Sequence, residues 1–207
     1  MCDLFNNTII GGSGNDTING CGGSDILNGG KGSDTYVVNY KGSSKHYYYD
    51  KITISDTGDG AKDVDTLKLD VKKSEMALLF NVNKITDSAL YTDNDIIVGA
   101  NHYQMNNQLM IAPDFDSLDD TDTESGQALL EHGIYANGLE KITTSDKKTI
   151  TLSTIKTIAQ DVANWLSTEG YDSTAAVYNG GNSNDLLTML AKYNPDNAAL
   201  KEYLNAD

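Results

Sequence analysis

Gly11 to Val37 reads GGSGNDTIN GCGGSDILN GGKGSDTYV. Divided after every ninth residue, the run gives three gapless copies of G-G-x-G-x-D-x-U-x, where U is a large apolar residue. Cys21 replaces the second Gly of the middle copy and Gly22 takes the variable slot. A faded copy precedes them from Cys2 to Ile10, with Asn7 at the Asp position and Ile9 at the apolar one. A flexible Gly/Asn/Ser linker has a similar composition, but it does not keep Asp and a large apolar residue in phase through successive copies. Three glycines in four residues permit a turn whose backbone enters conformations closed to other residues and points several carbonyls toward one place. The D-x-U-x that follows predicts a short strand whose apolar residue, Ile18, Leu27 or Tyr36, faces inward under the period-2 rule.

Backbone carbonyls joined by a carboxylate form the donor set of Ca²⁺, which takes roughly six to eight oxygens at about 2.3–2.6 Å. With these residues in place, the run resembles the RTX family, the hemolysin-type calcium-binding repeats of bacterial toxins, proteases, lipases and adhesins. The resemblance implies a parallel β-roll in which two nonapeptides make one coil, so that every second turn stacks. It places Asp16 and Asp34 across one Ca²⁺, with Gly12, Gly14, Gly30 and Gly32 as candidate carbonyl donors. On the other edge the Asp25 loop, with Cys21 and Gly23, stacks on the loop of Asn7. Asn7 offers an oxygen without a charge, so that second site is expected to bind more weakly.

Outward from the repeat, the expected organisation is a roll over residues 1–37, a β-rich capping region over 38–152 and a helical region over 153–207. The fold class is therefore mainly β: a parallel β-roll continued by irregular strands, with a small α-helical tail. Short strands are predicted at Ile52 to Ile54, Thr66 to Leu69, Ala77 to Phe80, Asp95 to Val98, Leu109 to Ile111, Ile134 to Tyr135 and Lys141 to Leu152. Tyr47 to Tyr49 reads as an alternating strand in preference to an exposed aromatic patch. The run ITISDTGDGAKDVDTL from Ile52 is similar to an element that often follows RTX repeats, and Gly138 to Leu152 resembles the closing hairpin of the family. Two acidic clusters, Asp56, Asp59, Asp63 and Asp65, and then Asp114, Asp116, Asp119, Asp120, Asp122 and Glu124, do not fit an EF-hand. They read first as solvated loops. An additional weak Ca²⁺ at Asp56 to Asp65 is the secondary reading.

Past Ile155 the period turns helical, with Ile155, Ile158, Ala159, Val162, Trp165 and Leu166 on one face, Ser153 or Thr154 as the cap and Gly170 as the stop. A short helix over Ser173 to Tyr178 follows. An apolar set at Leu186, Leu187, Met189, Leu190 and Tyr193 comes next, and then a last helix capped by Asn194 with Pro195 at its first position. Gly180 to Leu187 imitates a nonapeptide but sits in helical surroundings and reads as a helix cap. This tail is similar to the C-terminal part of RTX proteins that type I exporters recognise. The resemblance thus implies a secreted, extracellular or cell-surface protein with that exporter as a partner.

Fifteen lysines and no arginine stand against 30 Asp plus Glu, for a net charge of −15. That balance excludes nucleic acid as an expected partner and disfavours anionic membranes. No apolar run is long enough to span a bilayer, and Met1 to Ile10 lacks the features of a secretory signal. Cys2 and Cys21 favour two free thiols or small core fillers over a single bridge. His46, His102 and His132 are scattered, read as surface or turn residues, and form no H-E-x-x-H motif, so no enzyme is expected. The leading functional reading is a module that folds on Ca²⁺ after export, as the C-terminal part of a secreted toxin, adhesin or exoenzyme. The alternative is an adhesion or partner-binding domain, for a protein or cell-surface partner, stiffened by calcium. A hydrolase comes behind both.

Overall fold

The computed structural model describes residues 5–39, 51–56, 62–92, 95–112, 133–179, 183–193 and 195. Its first four strands are β1 (Thr8–Ser13), β2 (Thr17–Ile18), β3 (Ile26–Lys31) and β4 (Thr35–Val38). Strand β1 pairs with β3 in parallel, Thr8 opposite Ile26 and Gly12 opposite Gly30, while β2 pairs with β4, Ile18 opposite Tyr36. The chain thus returns to the same sheet after 18 residues, two nonapeptides per coil, as the family resemblance implies. Ile18, Leu27 and Tyr36 are all buried between the two sheets, and Tyr36 is among the largest fully buried side chains. Two-residue alternation decides this. Shifting a strand by one position would turn each of these residues to solvent.

Parallel pairing does not stop where the repeat stops. Strand β5 (Lys51–Ser55) adds to β3, and β6 (Thr66–Leu69) adds to β4. Strand β10 (Gly133–Asn137) then adds to β5, and β11 (Lys141–Thr143) to β6. Two further coils therefore continue the roll with no glycine-rich signature: β5, β6 and β11 keep the alternation, burying Ile52 and Ile54, Leu67 and Leu69, and Ile142, while β10 buries Ile134, Tyr135 and Ala136 in succession. Strand β12 (Thr149–Thr151) closes one sheet antiparallel to β11. The other sheet is extended by the antiparallel β7 (Ala77–Ile85), β8 (Ile96–Val98) and β9 (Asn101–Ala112), with β9 on β10. The expected strand at Leu109 to Ile111 is thus the end of a 12-residue strand. The expected strand over Lys141 to Leu152 is a hairpin, and Leu152 already belongs to the next helix.

Helix α1 (Leu152–Glu169) buries Ile155, Ile158, Ala159, Val162, Ala163 and Leu166. Its cap is Thr151, whose hydroxyl accepts the Thr154 N–H, two to three residues earlier than the expected Ser153 or Thr154; Gly170, at φ 81°, ends it as expected. The difference arises because the last residue of β12 is also the first half-helical residue, so the hairpin hands the chain directly to the helix. Helices α2 (Thr174–Asn179) and α3 (Ser183–Ala191) follow, with Val177, Leu186, Leu187 and Leu190 completing the core. The sequence readings at Cys2, His46, Tyr47 to Tyr49, Asp59, the cluster from Asp114 to Glu124, His132 and Asn194 lie outside the described residues.

Stacking imposes a sharp demand on one glycine. Gly30 has φ 99°, and a Cβ there would strike the carbonyl oxygen of Gly12 in the coil next to it. Gly12 has φ 112° but open space where its own Cβ would lie. Gly30→Ala is therefore expected to destabilise the protein by about 1–3 kcal/mol from the backbone conformation alone, and by more from the collision. Gly12→Ala should cost only the conformational part. Urea unfolding of both variants at saturating Ca²⁺ checks the order, and equal losses would contradict it.

Candidate metal centre

At the turn edge that joins the two sheets, Asp16, Asp34, Asp65 and Glu140 stand in one column. Backbone bonds set the spacing: the Thr35 N–H donates to the Asp16 carbonyl at 2.9 Å, Thr66 to Asp34 at 2.9 Å and Lys141 to Asp65 at 3.1 Å. A second ladder links the acids themselves. The Asp16 N–H donates to Asp34 Oδ1 at 2.7 Å, the Asp34 N–H to Asp65 Oδ1 at 2.7 Å, and the Asp65 N–H to Glu140 Oε2 at 2.8 Å. One oxygen of each receiving carboxylate is thereby fixed to the neighbouring coil.

The other oxygen tells more. Oδ2 of Asp16 and Oδ2 of Asp34 are both buried and accept no hydrogen bond. An ionised carboxylate oxygen withdrawn from water without a donor is costly, and such groups in folded proteins are paired or bind metal. Each of these side chains folds back over the first Gly of its own repeat, Gly11 and Gly29, where any Cβ would collide with it. The motif's first Gly therefore makes room for the carboxylate, while the later ones shape the turn. Gly12, Gly14, Gly30 and Gly32 all have positive φ, and Gly30 and Gly32 lie against the carbonyls of Gly12 and Gly14. The residues expected to share one ion, on loops 18 residues apart, are thus brought together. Their oxygen-only character fits a hard cation such as Ca²⁺.

The opposite edge repeats the arrangement for a shorter distance. The Asn7 N–H donates to Asp25 Oδ1 at 2.8 Å, the Ile26 N–H to the Asn7 carbonyl at 2.8 Å, and Gly23 lies against the Phe5 carbonyl. In the next coil the Asp25 position falls to Ile52, one residue before the Thr53 that pairs with Ile26. The column of acids ends there. Cys21 holds a glycine position at φ 73° and is disulfide-bonded. This corrects the expectation of a free thiol or core filler: the residue sits on a half-exposed turn and not in the core between the sheets.

Two contributors were not legible in the motif. The residue before each Asp carries a third ladder: the Ser24 N–H donates to Asn6 Oδ1, Ser33 to Asn15 Oδ1, Lys51 to Ser24 Oγ and Val64 to Ser33 Oγ, all within 2.8–3.0 Å. The recurrence of Asn and Ser at that slot was the available signal, and it looked like turn composition. The second is Tyr36. Its buried hydroxyl accepts the Gly29 N–H at 2.6 Å and donates to Asp56 Oδ2 at 2.5 Å. Burial first, and then the hydrogen bond to Asp56, push that hydroxyl well above the ordinary tyrosine value, so it remains a neutral donor.

The electrostatics of the column are unfavourable as it stands. Burial raises the Asp34 carboxyl above its ordinary value, and repulsion from Asp56, Asp16 and Asp63 adds to it against the opposing Asp16 N–H bond. Asp65 is pushed up to about 6, again chiefly by burial, with the charges of Asp56, Glu140 and Asp34 contributing and the Asp34 N–H opposing. Both shifts have the sign that burial and neighbouring like charges produce. His102, by contrast, lies apart from the column in β9, half-buried, with Nδ1 at 3.1 Å from Asp95 Oδ2 and its ring stacked on Tyr91.

Residues 3–36 match the family model of the RTX calcium-binding nonapeptide repeat, in four copies. The chain carries RTX calcium-binding repeats. The fourth copy is the faded one around Asn7, so the matched region coincides with coils β1–β2 and β3–β4. RTX repeats bind Ca²⁺, which agrees with the orphaned oxygens of Asp16 and Asp34. No curated protein and no solved structure is significantly similar to the chain. Among the described residues beside and beyond these RTX repeats, no helix is long and apolar enough to cross a membrane.

Proposed function

We propose that the chain is a calcium-triggered folding module, the C-terminal part of a secreted toxin, adhesin or exoenzyme, with no catalytic role of its own. The observation that carries this reading is the pair of buried, unsatisfied Oδ2 atoms on Asp16 and Asp34 within stacked coils. A roll built this way is electrostatically incomplete until a cation enters, so binding free energy becomes folding free energy. Where Ca²⁺ is scarce the acids repel and the chain stays loose enough to be exported. Outside, millimolar Ca²⁺ closes the coils. A disulfide at Cys21 suits an oxidising compartment. The helical tail, α1 to α3, is the segment this reading assigns to recognition by a type I exporter.

Far-UV circular dichroism and thermal melting of the full chain, with chelator and with a few millimolar Ca²⁺, test the trigger. Each site filled to about 100 times its Kd adds about 2.7 kcal/mol, so a rise in Tm of several degrees and a gain of β signal are expected. Identical spectra and melts in the two conditions would remove the proposal. Export of a reporter carrying residues 153–207 through a type I exporter, against one lacking them, tests the secretion part separately.

A further inference from the structure

Beyond the last nonapeptide, a different set of acids converges. Asp34, Asp56 and Asp65 are all buried, and one carboxylate oxygen of each lies within 4.8 Å of the others. Only Asp34 belongs to a repeat. Asp65 occupies the Asp34 position one coil later, just before Thr66, which pairs with Thr35. Asp56 follows β5 at the place Gly29 holds one coil earlier, two residues past the pairing of Leu27 with Ile54.

Acidic clusters on a surface need no ligand. This one is distinguished by Asp34, which is 0% exposed, with Oδ1 taken by the Asp16 N–H and Oδ2 buried without a hydrogen bond. That oxygen lies over Gly29. Gly29 is also the residue whose N–H is bonded to the Tyr36 hydroxyl, and the same hydroxyl holds Asp56 Oδ2. The orphaned atom and the Asp56 carboxylate are therefore both brought to Gly29, and the Asp34 N–H ties Asp65 to the same group. Three buried carboxylates this close repel one another strongly unless protons or a cation intervene.

We propose that Asp34, Asp56 and Asp65 hold a divalent cation at a site the nonapeptide pattern does not encode, with the Tyr36 hydroxyl positioning Asp56. The all-oxygen donor set selects a hard ion, Ca²⁺ in this chain. The inference rests on the calcium reading above and extends it: the ion column runs out of the repeat and fastens the first non-repeat coil, β5–β6, to the roll.

The test compares the full wild-type chain with Asp56→Asn, Tyr36→Phe and Asp16→Asn by Ca²⁺ titration calorimetry. Terbium luminescence excited through tyrosine gives a second readout, and circular dichroism at saturating Ca²⁺ reports folding. Asp56→Asn is expected to lose one equivalent of Ca²⁺, and Asp16→Asn should keep the equivalent that depends on Asp56. Tyr36→Phe should keep the stoichiometry while weakening one site several-fold and lowering the sensitised emission, because its phenol is bonded to a ligand of the ion. Wild-type stoichiometry and affinity in a folded Asp56→Asn chain would overturn the site. If that variant does not fold, unchanged affinity and emission in Tyr36→Phe would overturn it instead. Absence of Ca²⁺ binding by every variant, wild type included, would remove the calcium reading itself, whereas binding that ignores Asp56 and Tyr36 removes this site alone.

Discussion

Asp34→Asn is expected to lower the Tm at saturating Ca²⁺ and to raise it in calcium-stripped buffer. The two signs have one origin. Asparagine retains an oxygen able to accept the Asp16 N–H that now reaches Asp34 Oδ1 at 2.7 Å, so the tie between coils survives. What is lost is one buried negative charge facing Asp16 on one side and Asp56 and Asp65 on the other. Without calcium, that charge is a source of repulsion and unfavourable desolvation, and removing it helps the fold. With calcium, it is the counter-charge the ion requires. Changes to groups merely outside a metal's ligand shell weaken binding by about 10–100-fold, and loss of a charged ligand oxygen should weaken it at least as much. Differential scanning calorimetry of wild type and variant in both buffers checks the crossover. A variant that melts lower in both conditions would show that Asp34 acts through structure alone.

Acidification of the calcium-free chain from pH 7 toward 4.5 should increase its order, which is the reverse of ordinary acid denaturation. Asp65 is raised to about 6 in the folded roll from an ordinary value of 3.8, and Asp34 is raised as well. A raised carboxyl favours the fold fully when protonated below its unfolded value, and that contribution is lost as pH rises through the folded one. For Asp65 the window therefore runs from about 6 down to about 4. The carboxyls held low act outside it: Asp95, pulled to about 2 chiefly by Gln104 and Thr92, stays charged in folded and unfolded chains alike across this range. The groups facing Asp65 are Asp34, Asp56 and Glu140, all acids, so each proton taken up relieves repulsion. Calcium inverts the dependence, because protons then compete with the ion for the same oxygens. Circular dichroism melts across pH in calcium-stripped and calcium-saturated buffer should slope in opposite directions, and parallel slopes would contradict the account of the column.

How far the sequence could be read depended on how local the governing physics was. The nonapeptide announced its own architecture because each glycine and each Asp acts within one turn, and a fixed period carries every turn onto the next but one. The partnership of Asp16 with Asp34 was implied by the family resemblance that the period carries, whereas the inward direction of Ile18, Leu27 and Tyr36 followed from the two-residue alternation itself. The coils β5–β6 and β10–β11 were visible only as short alternating strands. Their parallel partners lie far along the chain, and β10 is separated from β5 by the whole β7–β9 excursion. Cys21 misled because its bonding depends on what the fold brings to its turn, and composition says nothing of that.

By itself the sequence determined the ion class and the nine-residue turn, since periodic glycine and aspartate constrain backbone and charge at short range, and through its resemblance to RTX repeats it implied the stacking of alternate turns and one edge of the site. Only the tertiary structure decided that Asp56, Asp65 and the Tyr36 hydroxyl converge on the last repeat, because that meeting is made by pairing between strands with no common motif. The physical difference is one of range: turn chemistry is set by neighbours in the chain, whereas the company a buried carboxylate keeps is set by which coil is laid upon it.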